Sequence, residues 1–139
     1  MEDFFWFVGL FEGEGCIGVD KADKNRPSIE LAMQDRDVME RVSKLLDHKI
    51  VSFIPPGKSV KGKSYKEMHR VRIYGRKAVM IIDAMKPHMS SRRRVRMEEA
   101  LSLWQPKVTY TTESYTPRLK KEIIVPLLIQ SNVVTLNKR

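Results

Sequence analysis

The sequence predicts one α+β domain, ordered helix, hairpin, helix, hairpin, helix, helix, and then an extension. Three observations carry this. The first residues form an apolar run that ends in glutamates and glycines. Two later stretches alternate apolar and polar side chains in pairs of strands. The segments between and after them repeat apolar residues at helical spacing. The chain has 139 residues, enough for one modest core. The domain is expected over 1–104 and the extension over 105–139.

The first helix follows Asp3, a residue suited to an N-cap, and carries Phe4, Phe5, Trp6, Phe7, Val8, Leu10 and Phe11. A helix apolar on nearly every side is expected to be buried all round. Gly9 and Gly13 stand four apart, on one face, and leave a groove that a second backbone could enter. Each glycine costs about 1 kcal/mol of helix propensity relative to alanine, which close packing would offset. The helix runs into Glu12 and Glu14. Carboxylates there meet the negative end of the macrodipole, unfavourable unless a cation is present. Two explanations stay open: a divalent metal, since magnesium commonly takes one or two carboxylates, or a plain exposed acidic turn.

Ile17 and Val19 alternate with Cys16, Gly18 and Asp20. A polar turn over 21–27 leads to Ile29, Leu31 and Met33, which alternate with Ser28, Glu30, Ala32 and Gln34. This is a hairpin with one apolar and one polar face. Asp35-Arg36-Asp37 opens the second helix, and Asp37 with Glu40 has capping-box spacing. Val38, Met39, Val42, Leu45 and Leu46 form its apolar stripe.

Residues 50–54 read as a third strand. Pro55-Pro56-Gly57 and Gly62 break the chain among Lys58, Lys61 and Lys63. Tyr65 to Tyr74 form the fourth strand, with His69, Val71 and Ile73 on one face. Lys66, Met68, Arg70 and Arg72 lie on the other, either a solvated basic face or a contact to nucleic acid. Gly75 ends the strand. Arg76 to Met85 form a helix with Val79, Ile82 and Met85 in phase, stopped by Lys86-Pro87. Ser90 or Ser91 caps a last helix that turns Met97, Ala100, Leu101 and Trp104 inward and closes at Pro106. The polar, Thr-rich stretch 109–116 and the apolar run 123–129, interrupted by Pro126, read as a tail that docks or orders on a partner.

Lys and Arg number 26 against 17 acids, a formal charge of +9. That excess favours an anionic partner without choosing among DNA, RNA and a membrane surface. No apolar run reaches the roughly 18–20 residues needed to span a bilayer. The first residues are acidic and aromatic, unlike a targeting peptide. Cys16 is the only cysteine, so no intramolecular disulfide or zinc cluster is expected. An intracellular protein is the default, cytoplasmic, nucleoid-associated or organellar. Arg92, Arg93, Arg94 and Arg96 crowd the start of the last helix, where positive charge is disfavoured. A polyanion would offset this, and a solvated basic turn is the alternative.

Phe7-Val8-Gly9-Leu10-Phe11-Glu12-Gly13-Glu14-Gly15 resembles the signature of the LAGLIDADG homing endonucleases, with Glu at both acidic places. The element order over residues 3–104 is similar to that family's αββαββα half-domain, in which two hairpins make a saddle-shaped antiparallel sheet lying along DNA. The resemblance implies that Glu14, with Gly13, holds a catalytic Mg²⁺. It implies that Gln34 helps hold the attacking water. Met85-Lys86-Pro87-His88-Met89-Ser90-Ser91-Arg92-Arg93 resembles the family's Pro-x-x-x-x-basic segment, which places Arg92, or Arg93 as runner-up, near the cleaved phosphate. Arginine keeps charge and donors there but does not readily shed a proton.

One motif copy implies a homodimer packed through Phe5, Gly9, Glu12 and Gly13, cutting a long pseudo-palindromic double-stranded site. Base and backbone contacts would come from Asp20, Ala22, Lys24, Arg26, Ser28, Glu30, Lys66, Met68, Arg70, Arg72 and Arg93. The expected function is therefore a site-specific, metal-dependent DNA endonuclease. The alternative is a splicing maturase or transcription regulator that keeps the fold without cleavage. A third possibility, a small basic domain with a chance motif, is disfavoured by the matching element order.

Overall fold

The computed structural model describes residues 2–57 and 60–104. Lys58 and the extension expected over 105–139 lie outside the described residues. The order is α1 (Glu2–Glu14), β1 (Cys16–Asp20), β2 (Arg26–Met33), α2 (Arg36–Leu46), β3 (Val51–Phe53), β4 (Met68–Tyr74), α3 (Gly75–Met85) and α4 (Ser91–Ser102). Short 3-10 turns occupy Lys21–Asp23 and Lys86–His88. This is the α+β arrangement expected, helix for helix and hairpin for hairpin.

The strands form one antiparallel sheet in the order β1-β2-β4-β3. Register fixes two faces. Ile17, Ile29, Leu31, Val71 and Ile73 point to the inner face, together with His69, and all are buried. The His69 Nδ1 lies 2.8 Å from the Ser52 Oγ, which satisfies a ring that would otherwise be costly to bury. The outer face carries Cys16, Gly18 and Asp20 of β1, Arg26, Ser28, Glu30 and Ala32 of β2, and Arg70, Arg72 and Tyr74 of β4.

Several boundaries differ from expectation. β4 begins at Met68, so Lys66 stands in the preceding loop and not on a strand. β2 begins at Arg26 and includes the buried Pro27, which pairs with Val19 alone. Pairing to β4 starts one residue later, at Ser28, so Pro27 needs no ladder donor on that side. Helix α2 is capped at Asp35, with no side-chain cap bond, and Glu40 pairs with Arg36 at 3.0 Å. That replaces the capping box expected from Asp37 and Glu40.

Phe4, Phe7, Val8 and Phe11 of α1 are buried in the common core with Met39, Val42 and Leu46 of α2. Ile81, Ile82 and Met85 of α3 and Met97 and Ala100 of α4 complete it. Helix α1 is thus buried along one stripe and not all round: Phe5 is 44% exposed and Gly9 and Gly13 are exposed. Arg41 of α2 ties down the start of α1, donating from Nε to Asp3 at 3.0 Å and lying 4.0 Å over the Trp6 ring. Lys77 of α3, itself buried, donates to the Asp47 carbonyl at 2.8 Å, a cation at the C-terminal end of α2. Gly75 turns β4 into α3 at φ +67, a conformation glycine adopts without strain.

Candidate functional site

The last turn of α1 meets the first turn of α4, and each helix caps the other. Arg93 donates from Nη1 to the Gly15 carbonyl at 2.6 Å and from Nη2 to the Glu12 carbonyl at 2.9 Å. The Glu12 oxygen belongs to the negative end of α1, where a cation is favoured, and the Gly15 oxygen lies just past that end. In return the Ser90 backbone N–H, at the positive end of α4, donates to the Glu12 carboxylate at 3.2 Å. Hydrogen bonding from Ser90, from its side chain first and its backbone N–H second, with Arg93 and Arg92 nearby, holds the Glu12 carboxyl below its ordinary range.

The two acids therefore part company. Glu12 is half-buried and engaged with α4 of its own chain. Glu14 is exposed, with no ion pair or hydrogen bond among the described residues. Its carboxylate and the Gly13 carbonyl, one of the last four of α1, are hard oxygen donors of the kind Mg²⁺ takes. Among the described residues no cluster of three or more His, Cys, Asp or Glu could hold a metal within one chain. The donor set fits a metal that draws its remaining ligands from water, phosphate or a second chain.

Gly15 ends the turn, and a Cβ there would meet the Phe11 ring at 2.5 Å. Among the described residues, Gly9 and Gly13 have nothing within 4 Å of where a Cβ would stand, which leaves their face open to these residues. Beside it, Phe5 makes edge contacts with Phe4 and His88, at 5.3 and 5.2 Å between ring centroids. Gln34 is exposed just beyond β2. It lies four residues past Glu30, the partner of Cys16, so roughly 13 Å further along an extended chain. No contact among the described residues brings it to Glu14. Arg92 is exposed and makes no hydrogen bond or ion pair with the described residues.

The outer face of the sheet holds a charge network that the sequence did not reveal. Arg26 pairs with Asp20 and Asp23, each at 3.2 Å, and lies 4.6 Å over the Tyr74 ring. Arg72 is paired to Glu30 and donates to the Tyr74 hydroxyl at 3.1 Å. The Tyr74 and Glu30 bonds hold the Arg72 charge more firmly still. Arg70 lies 4.8 Å over the Phe53 ring. Tyr74, absent from the expected contacts, joins both arginine clusters. Its alternation with Arg70 and Arg72 was the available signal. Ser28 faces the same way but is 9% exposed, between Gly18 and Tyr74 in register, so its hydroxyl is poorly placed to reach a base. Ala22, Lys24 and Lys66 are exposed and Met68 is half-buried.

A sheet with a charged outer face, helices behind it, and an acidic helix end beside its first strand defines the class. A family model described as a LAGLIDADG-like domain matches residues 3–82, and the chain belongs to that family. Among solved structures, the chain is similar to the homing endonuclease I-CvuI in complex with the I-CreI target in the presence of 2 mM Mg, with the DNA not cleaved. That similarity has a TM-score of 0.50 at 14% identity and covers 98% of this chain and 84% of that one. A second structure of I-CvuI, with its own target and 2 mM Ca, gives a TM-score of 0.48 at 14% identity, over 96% and 80% of the two chains. None of the curated proteins matches the chain. Among the described residues no helix is long and apolar enough to cross a membrane.

Proposed function

We propose that the chain is one half of a homodimeric, site-specific DNA endonuclease that hydrolyses phosphodiester bonds with a divalent metal. The observation that carries this is the end of α1. Among the described residues, Glu14 is exposed and unengaged at the end of a helix whose Gly9 and Gly13 face is open. Two such helices packed through that face would bring two Glu14 side chains together, one for each strand of a duplex. The outer face of the sheet would lie along the major groove.

Glu14 and the Gly13 carbonyl would hold Mg²⁺. A bound Mg²⁺ supplies polarisation of the phosphoryl oxygen and stabilisation of the leaving oxygen. Gln34 stands apart from Glu14 in the single chain, so it would orient the attacking water only where the bound duplex or the second chain brings that water to the end of β2. Arg92 would neutralise charge gathering on the phosphate. As an arginine it stays protonated and does not act as the base.

The test selects duplexes from a randomised pool with the wild-type protein in Ca²⁺, then offers the bound duplexes Mg²⁺. Wild type is expected to cut both strands at a pseudo-palindromic site. Glu14→Gln is expected to bind the same duplex and lose cleavage by at least about 10²-fold. Specific binding without cleavage by wild type would instead support the maturase or regulator alternative. Undiminished cleavage by folded Glu14→Gln would remove Glu14 from the chemistry.

A further inference from the structure

We propose that Arg93 is a positioning residue that sets the Glu14 carboxylate for metal binding, and not a contact to nucleic acid. The inference rests on the reading of Glu14 as a metal ligand. Arg93 bonds the carbonyls of Glu12 and Gly15, which bracket Gly13 and Glu14 in the chain. Its two donors lie in one rigid plane, so both ends of the four-residue turn are held at once. The Ser90 bond to the Glu12 carboxylate adds a third tether from the same helix. Together these leave Glu14 as the acid of the turn that is pinned in backbone and free in side chain.

The electrostatics agree. Arg93 is half-buried and makes no salt bridge among the described residues; it acts on the Glu12 carboxylate through space, while its donors face the carbonyls of Glu12 and Gly15. A phosphate contact would have to compete with two bonds already made. Arg92 and Arg94, its exposed neighbours on the same turn, are free to meet a polyanion without that competition. A lysine at 93 would keep the charge but could not hold both carbonyls in one plane.

The experiment compares wild type with Arg93→Met, Arg93→Lys, Arg94→Met and Glu14→Gln. Thermal unfolding reports folding. Mn²⁺-induced broadening of the Gly13 to Cys16 amide signals, titrated in the free protein, reports metal binding without any turnover. Duplex affinity against salt reports phosphate contacts. Folded Arg93→Met is expected to weaken Mn²⁺ binding by about tenfold or more, as loss of a group supporting a metal ligand does. Its salt slope should equal wild type, and Arg93→Lys should fall between the two. Arg94→Met should leave the Mn²⁺ titration unchanged.

Wild-type Mn²⁺ affinity in Arg93→Met would overturn the proposal, as would a salt slope smaller by about one with Mn²⁺ binding intact. If Arg93→Met does not fold, Arg93→Lys decides: weaker Mn²⁺ binding at unchanged unfolding temperature supports positioning, and unchanged binding overturns it. If Glu14→Gln binds Mn²⁺ as wild type does, the metal reading of Glu14 itself fails, and this inference with it. If Glu14→Gln loses Mn²⁺ and Arg93→Met does not, only the role of Arg93 falls.

Discussion

At the residue scale, the motif glycines have different physical reasons. Gly15 is buried and leaves no room for a Cβ beside the Phe11 ring, which is itself fully buried. Gly15→Ala must therefore push a core aromatic ring, not a flexible surface chain. We expect a loss of about 1–3 kcal/mol, typical of overpacking, read as a lower urea midpoint with unchanged slope. Stability equal to wild type would show that Phe11 can move. Asp83 is a second case. Burial pushes its carboxyl up from the ordinary 3.8, and Lys86 opposes the shift only in part. A raised folded value means the folded state holds the proton more tightly than the unfolded one. The stabilisation this gives is full below 3.8 and is lost as pH rises through the raised value. Asp83→Asn should thus be more stable than wild type at neutral pH. The difference should vanish in acid, in urea titrations run at several pH values. A constant difference would mean that packing, not charge, separates the two.

At the element scale, α1 and α4 show what periodicity can and cannot reveal. The stripe of Phe4, Phe7, Val8 and Phe11 follows from helical spacing, as do Met39, Val42 and Leu46 in α2. The reciprocal cap does not. The sequence marks Glu12 and Glu14 as needing a cation and the arginines of α4 as needing an anion, and these needs partly answer each other. The contacts join residues 78 and 81 positions apart, which no local pattern encodes. Lys77 capping α2 was hidden for the same reason, 30 positions from Asp47. The same limit explains the complete-burial expectation for α1. Composition shows an apolar helix but not how much of it one chain can cover. The uncovered side supplies a prediction. A Cβ at Gly13 would have no described atom within 4 Å in a single chain, so Gly13→Leu should fold and gain up to about 1 kcal/mol of helix propensity. It should sediment as a monomer while wild type sediments as a dimer. A monodisperse, active wild-type monomer would defeat the dimer reading.

At the scale of the whole molecule, the formal charge of +9 overstates what the sheet offers to a polyanion. Arg26 faces two aspartates and Arg72 a glutamate, so the outer face is a network of paired charges with a few unpaired cations. Alternation in the sequence put these residues on one face, but the pairing depends on cross-strand register and on the turn at Lys24 and Asn25. A cation that neutralises a phosphate releases a counterion, and log affinity then falls against log salt by about 0.9 per contact. Arg70 lies over the Phe53 ring and pairs with no acid among the described residues. Arg70→Ala should therefore weaken duplex binding and reduce the slope by about one if it meets phosphate. Arg26→Ala should behave differently. It removes a cation and leaves Asp20 and Asp23 without their partner, so two carboxylates would then face the duplex. Affinity should fall more than for Arg70→Ala, while Arg26→Ala,Asp20→Ala,Asp23→Ala should recover much of the loss. The check is a set of binding curves between low and moderate salt for the single, triple and wild-type proteins. Equal losses in the single and triple variants would show that Arg26 itself contacts the duplex and that its aspartate partners do not decide the effect.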